Sequence, residues 1–265
     1  MNKSRYYFQM QMTECECDIL NGSSICLFSN KSPDKEGPNE DAAAVIIRDD
    51  TTVILAVADG VGGLPAGAWA AETSLKELAT VSQDTSNPDV RASILNGIEQ
   101  ANSSILAQGS GSATTLAVAE IQNRTIRPYH IGDSVVMVVG QRGKLKLQTL
   151  AHAPVSYAVE AGFLDEHDAL HHQERHLVSN FVGTSDMRVE VGSPLSLDPR
   201  DTLLLASDGL FDNVHIPDIV EIIRKGPLKD AGEKLIALCR ERMAGVDSKM
   251  PSKPDDTTFI LYRRQ

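Results

Sequence analysis

Four strand-like segments rich in Val and Ile follow one another between Thr114 and Leu150: Thr114–Ile121, Thr125–Ile131, Val135–Gly140 and Lys144–Leu150. The links between them are the tripeptides QNR, GDS and QRG. Links that short join only antiparallel neighbours, because a parallel crossover needs a dozen or more residues. Further strands are expected at Ile25–Ser29, Ala42–Arg48 and Val53–Ala58, bounded by Asp, Gly and Pro. From Ala66 to about Val81, Ala, Leu and Trp69 recur at helical spacing, which makes Trp69 a core residue. Asn87-Pro88-Asp89 then opens a second helix reaching about Leu106, with Pro near its first position. Residues 155–185 are mixed and polar, with one short helix. Strands near Arg188–Val191 and Thr202–Ala206 precede helices at about Pro217–Arg224 and Lys229–Met243, and TTFILYR closes the chain as a strand. The order is strands, two helices, a meander, two helices, strand. Regular βαβ alternation is missing, so a doubly wound parallel sheet is excluded and antiparallel sheets with helix pairs outside are expected.

The chain of 265 residues carries 36 acidic against 25 basic side chains, a formal net charge of −11. A surface that acidic repels phosphate backbones, which argues against nucleic-acid partners, but converging acids suit cations. The longest apolar runs, such as AAAVII, fall far short of the ~20 residues that span a bilayer, and the N-terminus lacks the apolar run of a signal peptide. Residues 1–24 read as an edge strand or arm, and 25–265 as one unit. Four cysteines, Cys15, Cys17, Cys26 and Cys239, match neither a disulfide framework nor a zinc pair. Reduced thiols in a cytoplasm are the expectation, with both thiols of Cys15-x-Cys17 on one strand face.

Acids stand repeatedly at strand ends: Glu40-Asp41 in PNEDA, Asp59 in LAVADGVGG, Asp133 in HIGDS, Asp208 in LLLASDGLFD and Asp255-Asp256 in KPDDTT. Any one alone is ordinary turn chemistry. Together, carboxylates without a counter-charge raise one another's pKa, and hard divalent cations remove that cost. The glycine after each strand-end aspartate fits this reading, since Gly60 without a Cβ can turn its carbonyl toward an ion on Asp59, and Gly62 and Gly63 leave room for substrate or solvent.

The motifs NEDA (39–42), ADGVGG (58–63), GSATT (111–115), HIGDS (130–134), SDGLFD (207–212) and DDTT (255–258) occur in an order that resembles the type 2C metal-dependent serine/threonine protein phosphatases, the PPM family. The resemblance runs from about Ser29 to the C-terminus. It implies an α+β fold, a four-layer α/β/β/α sandwich of two antiparallel sheets flanked by helix pairs, with a flap at about 155–185. It implies two Mn²⁺ or Mg²⁺ ions and a weaker third site. On this pattern Asp59 bridges the two ions with the Gly60 carbonyl on the second. Asp208 and Asp255 hold the first, Glu40 and Asp41 act on the second largely through water, and Asp133 with Asp208 forms the third site. Asp212 orients waters, and Thr114 and Ser112, on a strand beneath, are supporting hydrogen-bond partners. The implied reaction is in-line hydrolysis of phosphoserine or phosphothreonine in proteins by water activated between the ions. The expected setting is a stand-alone cytoplasmic monomer opposing a Ser/Thr kinase. A catalytically weak, phosphoprotein-binding regulator and a phosphatase of small phosphate monoesters are the alternatives.

Two positions depart from the family pattern. Where members often carry a phosphate-gripping arginine, four residues before the NED glutamate, this chain has Glu36, and Lys31 or Lys35 is the expected replacement. Where some members place a histidine after the Asp-Gly, it has Val61, which leaves leaving-group protonation to a water. In the flap, His167 and His171, and His172 and His176, are spaced at i,i+4; a polar flap helix is the expected reading, with pH-sensitive substrate binding as the alternative.

Overall fold

The computed structural model describes residues 3–61, 66–165, 168–169, 172, 174 and 177–264. His167, His171, His176, Gly62 and Gly63, singled out above, lie outside the described residues. In chain order the strands are β1 (Arg5–Phe8), β2 (Glu16–Leu20), β3 (Ser23–Asn30), β4 (Asp41–Ile47), β5 (Thr52–Asp59), β6 (Leu116–Gln122) and β7 (Thr125–Ile131). They continue with β8 (Val135–Val139), β9 (Leu145–Gln148), β10 (Glu190–Val191), β11 (Leu195–Ser196), β12 (Thr202–Ala206) and β13 (Thr257–Arg264). The helices are α1 (Gly67–Ser82), α2 (Val90–Gln108), α3 (Pro154–Glu160), α4 (Asp208–Phe211), α5 (Ile216–Ile223) and α6 (Leu228–Met243).

One seven-stranded sheet runs β1-β4-β5-β6-β7-β10, with β11 also on β7, and a six-stranded sheet runs β2-β3-β13-β12-β8-β9. Every pairing is antiparallel. The run of apolar residues in β4 follows from burial on both faces. Ala42, Ala44 and Ile46 pack with Leu75, Leu78 and Ile94 of α1 and α2, while Ala43 and Val45 meet Leu203, Leu205 and Ile260 of the second sheet. The alternate residues of that second sheet, Leu204, Ala206 and Leu261, pack with Ile219, Leu235 and Ile236 of α5 and α6. Three apolar layers thus separate helices, sheet, sheet and helices, the expected α/β/β/α arrangement. Trp69 sits half-buried on the first layer.

Two expectations need correction. The segments from Thr114 to Leu150 do not form one meander: β6 and β7 are a hairpin in one sheet, β8 and β9 in the other, and Gly132-Asp133-Ser134 crosses between the sheets. A three-residue link serves because the stacked sheets approach closely at that corner. The cysteines are not all reduced: β2 pairs with β3 so that Cys17 faces Cys26 at a Cα separation of 4.1 Å, and the two form a disulfide. Residues 1–24, expected as an edge strand or arm, supply an edge strand to each sheet, and β2 forms with β3 the hairpin that brings the two cysteines together. Cys15 precedes β2 and is buried against Gly232 of α6, while Cys17 is exposed beside its partner Cys26, which belongs to the same helix-facing layer as Cys15. Among the described residues no helix is long and apolar enough to cross a membrane.

Candidate metal centre

The antiparallel registers carry the strand-end acids to one edge of the sandwich. Asp41 opens β4 directly opposite Asp59, which ends β5. In the other sheet, Val135 beside the Asp133 turn, Ala206 before Asp208, and Phe259 after Asp255-Asp256 stand in register across β8, β12 and β13. A cleft of about 280 Å³ between the sheets is lined by Glu40, Asp59, Asp133, Asp208, Asp255 and Asp256, together with Lys35 and Lys253. Asp41 lies beneath it, 1% exposed.

Both Asp-Gly pairs are explained by close backbone approach. A Cβ on Gly60 would lie 2.4 Å from the Gly67 carbonyl group, and one on Gly209 would lie 1.9 Å from the Asp256 carbonyl oxygen. Glycine therefore lets α1 close on the end of β5, and α4 close on the start of β13.

The acids divide by how well they are satisfied. Asp256 Oδ1 accepts the Ser32 N–H at 2.8 Å, and its Oδ2 accepts the Glu40 N–H at 2.7 Å and the Lys35 ammonium at 2.6 Å. That carboxylate is fully occupied in holding the 32–40 loop. Lys35 also donates to Glu40 Oε2 at 2.6 Å, and although burial opposes its charge, the bonds to Asp256 and Glu40 raise its pKa. Asp41 Oδ2 accepts the Ser207 hydroxyl at 2.8 Å, but Oδ1 is buried with no hydrogen-bond partner. Burial first, then the charge of Asp256, holds the Asp41 carboxyl well above the usual carboxylate range. Burial, then Asp41 and Asp208, does the same to Asp59. Burial, then Asp208 and Asp212, raises Asp133, and burial with Asp208 raises Asp255. Such a set costs free energy unless a cation joins it.

Besides Lys35, a second cation is already there, one not expected from the sequence. The Lys253 ammonium lies 2.6 Å from Asp208 Oδ2, 2.7 Å from Asp212 Oδ2 and 3.2 Å from Asp255 Oδ2. Burial opposes its charge, but Asp208, Asp212 and Asp255 overcome this and raise its pKa strongly. Its signal was the lysine of KPDD, two positions before Asp255. Its backbone is pinned as well, its N–H and C=O meeting Asn213 at 2.8 Å each. Lys31 is not among the described cleft-lining residues, and Glu36 is exposed.

Thr114 precedes β6 and is bridged to Gly60 and to Val182 of the flap. Its hydroxyl donates to the Asp59 carbonyl at 2.8 Å, and the Thr115 N–H donates to the same oxygen at 2.8 Å. Thr115 Oγ1 in turn meets the Ser134 hydroxyl at 2.7 Å, tying Asp59 to the Asp133 turn. Ser112 is buried in the loop before β6, and its hydroxyl pairs with Ser110 at 2.5 Å.

A second cluster of metal-ligand residue types lies nearby. His130, His152 and Glu190 bring ligand atoms within 4.8 Å of one another. The hydrogen bonds argue against a metal there. His130 Nε2 is 2.8 Å from the Leu150 carbonyl, which only accepts, so Nε2 carries a hydrogen. Asn180 is oriented by Arg188, whose N–H meets Oδ1 and whose C=O meets Nδ2. Its Nδ2 then donates to His152 Nδ1 at 2.8 Å, as does the Gly132 N–H at 3.1 Å. The His152 proton therefore sits on Nε2, facing Glu190 Oε2 at 3.2 Å. Neither Nε2 has a lone pair to offer. The group is a clasp between the flap and the Asp133 turn.

Comparisons with known proteins agree with this geometry. The family model for protein phosphatase 2C matches residues 32–242. Protein phosphatase PhpP of Streptococcus pneumoniae is 29% identical over 213 residues, covering 76% of this chain and 85% of its own. The serine/threonine phosphatase of S. agalactiae superposes with a TM-score of 0.79 at 26% identity, covering 92% of this chain and 100% of its own. The catalytic domain of the serine/threonine protein phosphatase PstP, solved in complex with two manganese ions, superposes with a TM-score of 0.74 at 24% identity over 91% of this chain and 97% of its own. With matched motifs, matched architecture and a cleft in which carboxylates outnumber lysines, the chain belongs to the protein phosphatase 2C family and is a metal-dependent protein serine/threonine phosphatase.

Proposed function

We propose that the cleft holds two Mn²⁺ or Mg²⁺ ions, with a weaker third, and hydrolyses phosphoserine and phosphothreonine in proteins by in-line attack of water. The observation that carries this reading is the under-satisfied acid set: carboxylates from five chain segments meet in one cleft, Asp41 Oδ1 has no partner, and Asp41, Asp59, Asp133 and Asp255 are held above the usual carboxylate range. Hard oxygen ligands of this kind suit Mn²⁺ or Mg²⁺, and the PstP catalytic domain, similar in fold, was solved with two manganese ions. The bound ions supply neutralisation of the phosphoryl oxygens and a water acidic enough to attack near neutral pH.

Asp59 with the Gly60 carbonyl, Asp208 and Asp255 are the residues that would hold the two ions, with Glu40 and Asp41 acting on one of them and Asp133 on the third. Asp212, whose N–H donates to the Asp208 carbonyl at 2.7 Å, orients water at the same edge. Thr114 and Thr115 fix the Asp59 backbone and so the point from which its carboxylate reaches into the cleft. Lys35 offers its positive charge to the substrate phosphate, taking the place of an arginine as a point charge without the bidentate fork. Lys253 keeps Asp208, Asp212 and Asp255 together. A monomer acting in the cytoplasm against a Ser/Thr kinase completes this reading.

The test is turnover of p-nitrophenyl phosphate and of phosphopeptides with added Mn²⁺, Mg²⁺ or EDTA, on wild type and Asp208→Ala. Metal-dependent turnover that the substitution removes supports the reading. Turnover in EDTA, or an unaffected variant, contradicts it. Metal binding without turnover of either substrate favours the phosphoprotein-binding alternative, and turnover of small esters alone favours the small-monoester phosphatase.

A further inference from the structure

Beside the acidic cleft lies a larger cavity of about 480 Å³, and Asp133 and Asp208 line both. Asp212, Glu160 and His215 also reach it, but most of its remaining wall is apolar. The flap helix α3 contributes Val155 and Val159, and the stretch from the end of α4 to the start of α5 contributes Phe211, Val214 and Ile216. Val159, Phe211 and Ile216 are half-buried and still reachable from solvent. The same flap presents Tyr157 at 41% and Phe163 at 88% exposure.

A phosphoryl group gains nothing from such walls, and the volume is in the range that takes a bulky organic group rather than a small anion. Consecutive Cα atoms are only about 3.8 Å apart, so a phosphorylated residue at the Asp133–Asp208 lip places its neighbour's side chain at the mouth of the apolar cavity. We propose that this groove is a specificity subsite that receives an apolar side chain adjacent to the phosphorylated residue of a protein substrate. The inference rests on the phosphatase reading and narrows its substrate class. Burial of that side chain against Val155, Val159 and Ile216 is what separates a preferred phosphosite from an indifferent one.

The experiment uses the full chain with Mn²⁺ and a set of matched phosphothreonine peptides. The residue on either side of the phosphothreonine is varied among Leu, Phe, Gly, Asp and Lys, with p-nitrophenyl phosphate as the side-chain-free reference. Leu or Phe on one side is expected to raise kcat/KM about tenfold over Gly or Asp. In Val159→Asp and Ile216→Asp, the ratio of apolar-peptide to p-nitrophenyl phosphate kcat/KM falls about tenfold, and the Lys peptide improves on the Leu peptide. Because the wild-type series alone can decide, a variant that fails to fold does not shelter the proposal. A flat wild-type profile, with both peptides and p-nitrophenyl phosphate hydrolysed, overturns the subsite and leaves the phosphatase reading standing. Absence of turnover on every substrate overturns both.

Discussion

Two clusters built from metal-ligand residue types lie close together in this molecule and differ in what their hydrogen bonds leave over. In the cleft, Asp41 keeps a buried oxygen without a partner, and Asp41, Asp59, Asp133 and Asp255 are all driven above the ordinary carboxylate range by burial and by neighbouring carboxylates. In the clasp, both Nε2 atoms of His130 and His152 carry hydrogens that already have acceptors, and His152 Nδ1 is filled by two N–H donors. Residue type alone would rate the two alike. An unspent buried oxygen and carboxylates held above their usual range mark the cleft, rather than the clasp, as the place for a further cation.

The largest effect that sharpens this contrast is expected at Gly60. A Cβ there meets the Gly67 carbonyl group at 2.4 Å, so Gly60→Ala must push α1 or the end of β5 aside and move Asp59. Steady-state assays should show turnover reduced by tens-fold or more, since misplacement by an ångström costs about a hundredfold. Activity near wild type would break the link between the Asp-Gly geometry and the chemistry.

Next in size is a pH effect of opposite sign in the two clusters. Asp41, Asp59, Asp133 and Asp255 have folded-state pKa values above the 3.8 of the free side chain, so the folded chain keeps protons that the unfolded chain has lost. Metal-free protein therefore loses stability as pH rises from about 4 through those raised values, and Mn²⁺ should remove the dependence. Burial holds His130 below 6.5, so its contribution is lost as pH falls through that value, with or without Mn²⁺. Thermal melts from pH 5 to 8 in EDTA and in Mn²⁺ check both signs. A metal-free Tm that climbs steadily with pH would show that the acids are not under strain.

The smallest effect belongs to the clasp itself. His152→Gln should lower Tm by a few degrees, the loss of one or two buried hydrogen bonds worth about 1 kcal/mol each. Manganese affinity should stay within about twofold, measured by titration calorimetry. A large loss of affinity would make the clasp part of the metal centre.

Much of this was legible in the sequence where chemistry and local pattern coincide. The acids at strand ends and the helices flanking 66–108 and 217–243 carry their own periodicity and punctuation, and the registers of β4–β5 and β12–β13 bring the acids together. What escaped depends on contacts between distant segments. The Gly132–Ser134 link looks like any hairpin turn until the two sheets are stacked. Cys17 and Cys26 pair only because a short, exposed β2 lies along β3. Lys253 belongs to a polar loop with no periodicity, and its place among three aspartates is fixed by Asn213, 40 residues away. The difference between Asp255, raised and open to the cleft, and Asp256, spent on the 32–40 loop, cannot be read from a dipeptide of identical residues.

The most direct measurement is a calorimetric titration of Mn²⁺ into EDTA-stripped, dialysed protein, for wild type and for Asp59→Asn. Two ions per chain, with a weaker third at higher concentration, are expected for wild type, and a fall in affinity at both strong sites is expected for the variant, because in the proposed centre Asp59 would serve both. Failure of wild type to bind manganese, or unchanged binding in Asp59→Asn, would contradict a cation centre at the ends of these strands.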